Sequence, residues 1–209
     1  MGRLQRDHAG SIAPVSTFVQ VLYRHGLVMG ISALTLFALN TSPHLLATTL
    51  ADFSANPTKY LLYLMAILVF FYLFLVRKGL SLNLIQGFWI IYLLYISIVE
   101  EIAFRLFLPL ALESSISFFY AVIFSNFVFA GAHYFTLRWK WQNCALAFFG
   151  GIALSGLLER SDDLALLILM HFVGTFINTP SQPRHNTEGS IENDRDEFII
   201  IKKYSGPEK

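Results

Sequence analysis

The sequence predicts an all-α membrane protein, a polytopic helical bundle of about six transmembrane helices, some of them tilted or broken. Two observations support this prediction. Of the 209 residues, 55% are hydrophobic and only 14% are charged, and the mean hydropathy is +0.56, whereas soluble domains carry about 25% charged residues. The apolar residues also collect in runs that approach the roughly 20 residues with which a helix crosses a bilayer.

Six apolar runs are candidate spans. They cover residues 26–40 (with a start as early as 18), 60–76, 82–112, 116–137, 141–158 and 164–178. At about 1.5 Å per residue, the third run is longer than the ~30 Å hydrocarbon core. We therefore expect it to tilt, to project from the membrane or to break, either at Pro109 or at its polar start, SLNLIQG. Several other runs are short, which favours tilted or re-entrant packing.

The chain divides into three predicted parts. Residues 1–17 form a cytoplasmic N-terminal segment, residues 18–179 form the helical membrane domain, and residues 180–209 form a polar tail that is predicted to be disordered. The single cysteine, Cys144, excludes an intramolecular disulfide and a multi-cysteine metal site. A net charge of +1 without a basic block argues against a nucleic-acid partner.

Basic residues at the ends of the predicted spans indicate the orientation. One side collects eight of them: Arg3, Arg6, Arg24, Arg77, Lys78, Arg138, Lys140 and Arg184. The short loops of the opposite side have two, Lys59 and Arg160. Because cytoplasmic loops carry the excess of lysine and arginine, both termini are predicted to be cytoplasmic. The predicted location is the cytoplasmic (inner) membrane.

Two adjacent glutamates lie inside the third run, in the stretch IVEEIAFR. Glu101 and Arg105 are four residues apart, so on a helix they share a face and can form an ion pair. Glu100 points about 100° away and is free to face a cavity, where a carboxylate can act as a general base. A packing network of both glutamates with Arg105 is the alternative interpretation, since ionisable residues inside spans mark either functional sites or buried pairs.

Two histidines in other spans favour the functional interpretation. His133 lies in the fourth run and His171 in the sixth. Each requires polar contacts in a hydrocarbon environment, and a shared cavity with Glu100 supplies them. Such a trio can activate a water for attack on a carbonyl and stabilise the oxyanion. Alternatively, Glu100, His133 and His171 can hold a catalytic zinc, which typically has three protein ligands and one open position.

The order of these motifs resembles the CPBP intramembrane proteases, the family that includes the CAAX prenyl endopeptidases and bacteriocin-processing proteins. EEIAFR matches the first motif of that family, and FAGAH, from Phe129 to His133, matches the second. The third motif begins with His171 in a later span. Four residues further on stands Thr175, where many members have asparagine, and Asn178 follows. The resemblance covers residues 97–178.

The resemblance implies an intramembrane endopeptidase of the glutamic or metallo type that hydrolyses a peptide bond of a membrane-associated or lipidated substrate. By this resemblance, Glu100 activates water with help from His133, and Glu101 pairs with Arg105. His171 then binds the oxyanion, assisted by Thr175 or Asn178. The compact core favours a prokaryotic member. Two alternatives stay open, a catalytically silent scaffold or immunity protein of the same family and a small proton-coupled transporter.

Overall fold

The computed structural model of the chain describes residues 4–6, 15–39 and 44–183. Over these ranges the chain is helical, and extended pairing is limited to an isolated antiparallel bridge between Gln5 and Trp139. Of the predicted polar tail, residues 184–209 lie outside the described part.

Nine helices make up the described chain. They are α1 (Phe18–Leu39), α2 (Leu45–Thr49), α3 (Ala51–Ala55), α4 (Pro57–Arg77), α5 (Leu84–Glu101), α6 (Leu108–Glu113), α7 (Phe118–Thr136), α8 (Trp141–Ser161) and α9 (Leu164–Asn178). Local chemistry explains several starts. The side chains of Asn83 and Asp163 accept hydrogen bonds from the backbone amides of Gln86 and Leu166, which caps α5 and α9. Pro57 begins α4, where the missing amide hydrogen has no cost.

The predicted helical membrane bundle is confirmed. Among the described residues, four helices are long and apolar enough to cross a membrane, namely α1, α4, α7 and α8, and α9 is a shorter apolar helix. Large apolar side chains such as Leu34, Leu62 and Leu73 are exposed on α1 and α4. This exposure suits a helix surface that faces lipid instead of water.

Helix α5 packs against α9 and α1 with one face, while its opposite face is exposed. Its inward side chains, among them Trp89, Leu93 and Ile96, are buried in the main core. The indole nitrogen of Trp89 donates a hydrogen bond to the carbonyl of Thr179, 2.8 Å away. The residues that carry the charged motif therefore follow a helix face that is buried in the core of the bundle.

The third predicted span does not break at Pro109. A π-helical stretch, Ile102–Phe107, joins α5 to α6 without interruption. Proline cannot donate to the carbonyl four residues earlier, that of Arg105, and its ring crowds that carbonyl, so a wider turn accommodates it. The hydroxyl of Ser125 donates to the Phe104 carbonyl at 2.5 Å and satisfies one acceptor of this stretch. The polar start of the run coincides with the capped beginning of α5.

Candidate active site

The two glutamates end α5, and both are buried in the interior of the bundle. The exposed fraction is 1% for Glu100 and 0% for Glu101. Because consecutive helical residues point about 100° apart, the two carboxylates have different neighbours. Glu101 pairs with an arginine, and Glu100 is surrounded by imidazoles.

Glu101 lies against Arg105. The distance from Nε of Arg105 to Oε2 of Glu101 is 3.4 Å, and both side chains are fully enclosed. The guanidinium carbon also lies 4.0 Å above the ring centre of Phe129, which gives a cation–π contact. Arg105 therefore joins the helix of the glutamates to α7, the helix that bears the FAGAH motif.

Three histidines surround Glu100. On one carboxylate oxygen, Oε1, converge Nε2 of His25 at 3.0 Å and Nε2 of His133 at 3.7 Å. Nε2 of His171 lies 3.6 Å from the other oxygen, Oε2. The structure thus brings the three predicted site residues together on three different helices, and it adds a fourth.

His171 also contacts the second glutamate. Its Nδ1 lies 2.5 Å from Oε1 of Glu101, so a single imidazole bridges both carboxylates. This contact is additional to the predicted role of His171 in the cavity of Glu100. It ties the arginine pair and the imidazole group into one buried polar cluster.

His25 is the site residue that sequence reasoning missed. It lies in a π-helical stretch of α1, Leu22–Gly26, and is 3% exposed. The available signal was the one used for His133 and His171, an ionisable side chain inside a predicted span. No motif or helical spacing links His25 to Glu100, because the contact spans two separate helices.

Hydrogen bonds at the outer nitrogens determine which ring nitrogen of two histidines carries the proton. Nδ1 of His133 lies 2.9 Å from the carbonyl of Phe129, which can only accept. Nδ1 of His25 lies 2.8 Å from the hydroxyl oxygen of Thr136, whose own hydrogen is donated to the Ala132 carbonyl at 2.6 Å. Both Nδ1 atoms are therefore donors, and both Nε2 atoms face Glu100.

The cluster opens into a cavity of about 300 Å³. His25, Glu100, His133 and His171 line it together with Thr175 and Asn178 of α9 and with Trp139, whose ring centre lies 4.6 Å from that of His133. The supporting residues that were predicted on α9 therefore reach the same cavity as the acid and the imidazoles. Most of the remaining lining is apolar, which strengthens electrostatic interactions inside the site.

A metal-ligand arrangement is also present among these side chains. In the described part of the chain, the donor atoms of His25, Glu100 and His133 all lie within 4.8 Å of one another. The set that was predicted to hold zinc contained His171 in place of His25. In the structure, His171 approaches the opposite oxygen of the carboxylate.

The fold and the site together define an integral membrane protein with a buried glutamate–histidine centre of the kind that activates water. Residues 82–177 match the family model described as type II CAAX prenyl endopeptidase Rce1-like. That family is generally a protease family, and the match agrees with the resemblance to CPBP proteases over this segment. A search of curated proteins and a search of solved structures returned no match. His25 lies outside the matched segment.

Proposed function

We propose that the protein is an intramembrane endopeptidase that hydrolyses a peptide bond of a membrane-associated or lipidated protein, using a water activated by Glu100 and His133. The observation that carries this proposal is the burial of Glu100 beneath three imidazoles at the wall of a cavity. Burying a carboxylate costs folding free energy, because ions are poorly solvated inside proteins. Ionisable residues inside membrane spans are therefore usually functional.

In the proposed reaction, Glu100 transfers the proton and His171 stabilises the oxyanion. Glu100 takes a proton from the water while the water oxygen attacks the carbonyl carbon of the substrate. The carbonyl oxygen becomes an oxyanion. His171 stabilises that oxyanion, with the hydroxyl of Thr175 or the amide of Asn178 as a further donor. Glu100 then returns the proton to the departing amine as the carbon–nitrogen bond breaks.

The position of the site favours cleavage near the cytoplasmic leaflet. His133 lies in the last turn of α7, beside the connection that carries Arg138 and Lys140. Arg24 donates to the carbonyl of Thr136 at the same end of the bundle. The positive-inside rule supports a cytoplasmic location for this end, and we infer cytoplasmic termini and an inner-membrane location for the protein.

A second candidate function is a silent scaffold that binds a membrane partner. The observation in its favour is Thr175, which offers one hydroxyl where related proteases have an amide with two donors. A scaffold, however, has no use for an acid and three imidazoles that meet at a cavity. The protease proposal therefore has the stronger support.

Cleavage by reconstituted protein tests the proposal. The full chain in lipid nanodiscs is incubated with a library of quenched fluorescent membrane peptides, with and without a prenyl group. We expect Glu100→Gln to lower kcat/KM by at least about 10²-fold, the usual contribution of a general base. The matched control is Glu113→Gln, which alters an exposed glutamate at the end of α6. If Glu100→Gln cuts as well as the wild type, the site is not catalytic.

A further inference from the structure

We propose that residues 138–140, in the loop between α7 and α8, bind an extended peptide through its backbone, and that residues 4–6 of the chain itself occupy this position in the structure. Residues 138–140 are the pairing edge, and residues 4–6 are the strap. Use of the pairing edge by a substrate rests on the proposed function and adds the form in which the substrate is held. Binding of a peptide there does not depend on cleavage.

Main-chain atoms join the strap to the pairing edge. The amide of Arg6 donates a hydrogen bond to the carbonyl of Arg138 at 2.8 Å. The amide of Lys140 donates to the carbonyl of Leu4, also at 2.8 Å. The two bonds flank the isolated bridge in the pattern of antiparallel strands. Any extended peptide has the same main-chain groups, which is how sheet edges bind peptides of varied sequence.

The pairing edge is held by the helices on either side of it. Arg138 follows the end of α7 with a left-handed backbone, φ 58°. The amide of Trp139 then donates to the carbonyl of His133 at 3.4 Å, as in a Schellman motif. In the first turn of α8, two amides donate to the carbonyl of Lys140 at 3.0 and 3.1 Å. These bonds leave the carbonyl of Arg138 and the amide of Lys140 for a strand alongside, so the edge is preformed.

The pairing edge lies at the wall of the cavity that contains Glu100. Trp139 lines this cavity, and its ring centre lies 4.6 Å from that of His133. Leu4 of the strap lines the same cavity, as does Asn143, whose side-chain nitrogen donates to the Leu4 carbonyl at 2.9 Å. A peptide on this edge therefore runs beside the imidazole that is proposed to assist Glu100.

Trp139 also carries a donor that lacks an acceptor. Its indole nitrogen, Nε1, is buried and makes no hydrogen bond to any residue in the described ranges. Buried donors in folded proteins are nearly always paired, so an unpaired one in the cavity wall indicates an acceptor on a ligand. A substrate that lies on the pairing edge and extends into the cavity supplies carbonyl oxygens for this donor.

The strap is held by few contacts besides its backbone bonds. The guanidinium carbon of Arg6 lies 3.9 Å from the ring centre of Tyr134, and the guanidinium donates to the carbonyl of that residue at 3.3 Å. The side chain of Gln5 donates to the Val15 carbonyl at 2.9 Å. A segment of the same chain competes at an effective concentration of about millimolar order. We therefore expect the strap to weaken the binding of any other peptide at the edge.

Peptide binding tests the inference without cleavage. The full chain carrying Glu100→Gln, in lipid nanodiscs, is titrated with a fluorescein-labelled peptide of the strap sequence, GRLQRD, and followed by fluorescence anisotropy. Arg6→Pro deletes the amide donor of the strap, so we expect it to raise peptide affinity by about 3–10-fold, the usual effect of one hydrogen bond. Adding Lys140→Pro deletes the donor of the edge and is expected to lower affinity again by about 3–10-fold. Lys140 has φ −61°, which proline adopts without strain.

Alanine at the same two positions provides the matched controls, because it keeps the amide donors. We expect Lys140→Ala to change peptide affinity by less than about 2-fold. Arg6→Ala loses the contact with Tyr134 but keeps the backbone bond, so it should raise affinity less than Arg6→Pro does. Equal effects of alanine and proline at both positions would contradict pairing through the backbone.

The binding results decide whether the pairing edge exists. Peptide affinity that Arg6→Pro leaves unchanged, or that Lys140→Pro does not lower in the Arg6→Pro chain, overturns it. If Lys140→Pro does not fold, Asn143→Ala decides. That substitution removes the side-chain donor to the Leu4 carbonyl, and unchanged peptide affinity then overturns the inference.

Cleavage assays separate the pairing edge from the proposed function. With Glu100 restored, we expect Arg6→Pro to lower the KM for a membrane peptide by about 3–10-fold and to leave kcat unchanged, because the strap competes only with binding. Cleavage that depends on Glu100 but whose KM responds to neither Arg6→Pro nor Lys140→Pro overturns the edge and leaves the protease proposal intact. Peptide binding as expected, without cleavage of any peptide, supports the edge and contradicts the protease.

Discussion

Nε2 of His25 lies 3.0 Å from Oε1 of Glu100, which joins the first helix of the bundle to the end of α5. This contact makes α1 part of the site, although residues 82–177 alone match the protease family. The glutamate is thereby held from three sides by α1, α7 and α9. Its position depends on how all of these helices pack.

The buried pair of Glu101 and Arg105 is predicted to stabilise the fold only as a pair. Arg105→Met removes one partner and leaves the buried carboxylate of Glu101 with only its contact to His171, which costs up to about 3–5 kcal/mol. The double variant Glu101→Leu with Arg105→Met is expected to recover most of that loss, since apolar replacements of buried pairs are often tolerated. Unfolding in detergent, followed by tryptophan fluorescence, measures both. Arg160→Ala, at an exposed position, is the control; a double variant no better than the single one contradicts the prediction.

Gly151 is predicted to be required for the packing of α8 against the site. A Cβ at this position would collide with the amide oxygen of Asn126 and would come within 2.7 Å of a guanidinium nitrogen of Arg105. Gly151→Ala is therefore expected to cost about 1–3 kcal/mol, as overpacked cores do, and to lower cleavage by displacing Arg105.

The neighbouring glycine provides the matched control. A Cβ at Gly150 meets nothing within 4 Å, and the residue is exposed. Gly150→Ala is expected to leave the free energy of unfolding unchanged or to raise it slightly, because alanine favours helix. Equal changes in the free energy of unfolding for the two substitutions would show that crowding at Gly151 does not cause the destabilisation.

Thr175 is predicted to limit the catalytic rate. It lines the cavity one helical turn after His171, where an amide could donate a second hydrogen bond to the oxyanion. Thr175→Asn is expected to raise kcat by about 10-fold, and Thr175→Val to lower it by about 10²-fold. Because the interaction belongs to the transition state, KM should change little. A change in KM alone would assign Thr175 to substrate binding instead.

Asp52 is predicted to give the fold an acid-sensitive contact outside the spans. Its carboxylate accepts hydrogen bonds from Lys59, Tyr60 and Asn56, and these contacts, that with Lys59 foremost, lower the pKa of Asp52 from 3.8 to about 2. A lowered pKa means that the folded state favours the ionised form. The resulting stabilisation is present above about pH 4 and is lost as the pH falls through about 2.

Carboxyl NMR resonances measure this effect. Replacing Lys59 by methionine is expected to raise the pKa of Asp52 toward its ordinary value, whereas Asn56→Ala should raise it less, since the asparagine contact is the weakest of the three. An Asp52 pKa that stays near 2 in the Lys59→Met variant would assign the shift to Tyr60.

Local patterns predicted much of the architecture. Helix α9 has the predicted bounds, from Leu164 to Asn178. The spacing of Glu101 and Arg105 predicted a shared face, and the structure has their side chains in contact. These features depend on backbone geometry within one helix, where residues four apart are neighbours in any helical protein. Sequence alone therefore suffices to predict them.

Only the tertiary structure determines the neighbours of the carboxylates. Arg105 lies in a π-helical stretch, the packing of α1 brings His25 to Glu100, and the packing of α9 against α5 lets His171 contact both glutamates. Each of these contacts depends on the relative rotation and depth of two helices. Many packings bury the same apolar faces, so hydropathy and spacing identify residues that require a polar partner but do not identify that partner. Side-chain packing across the whole bundle makes that choice.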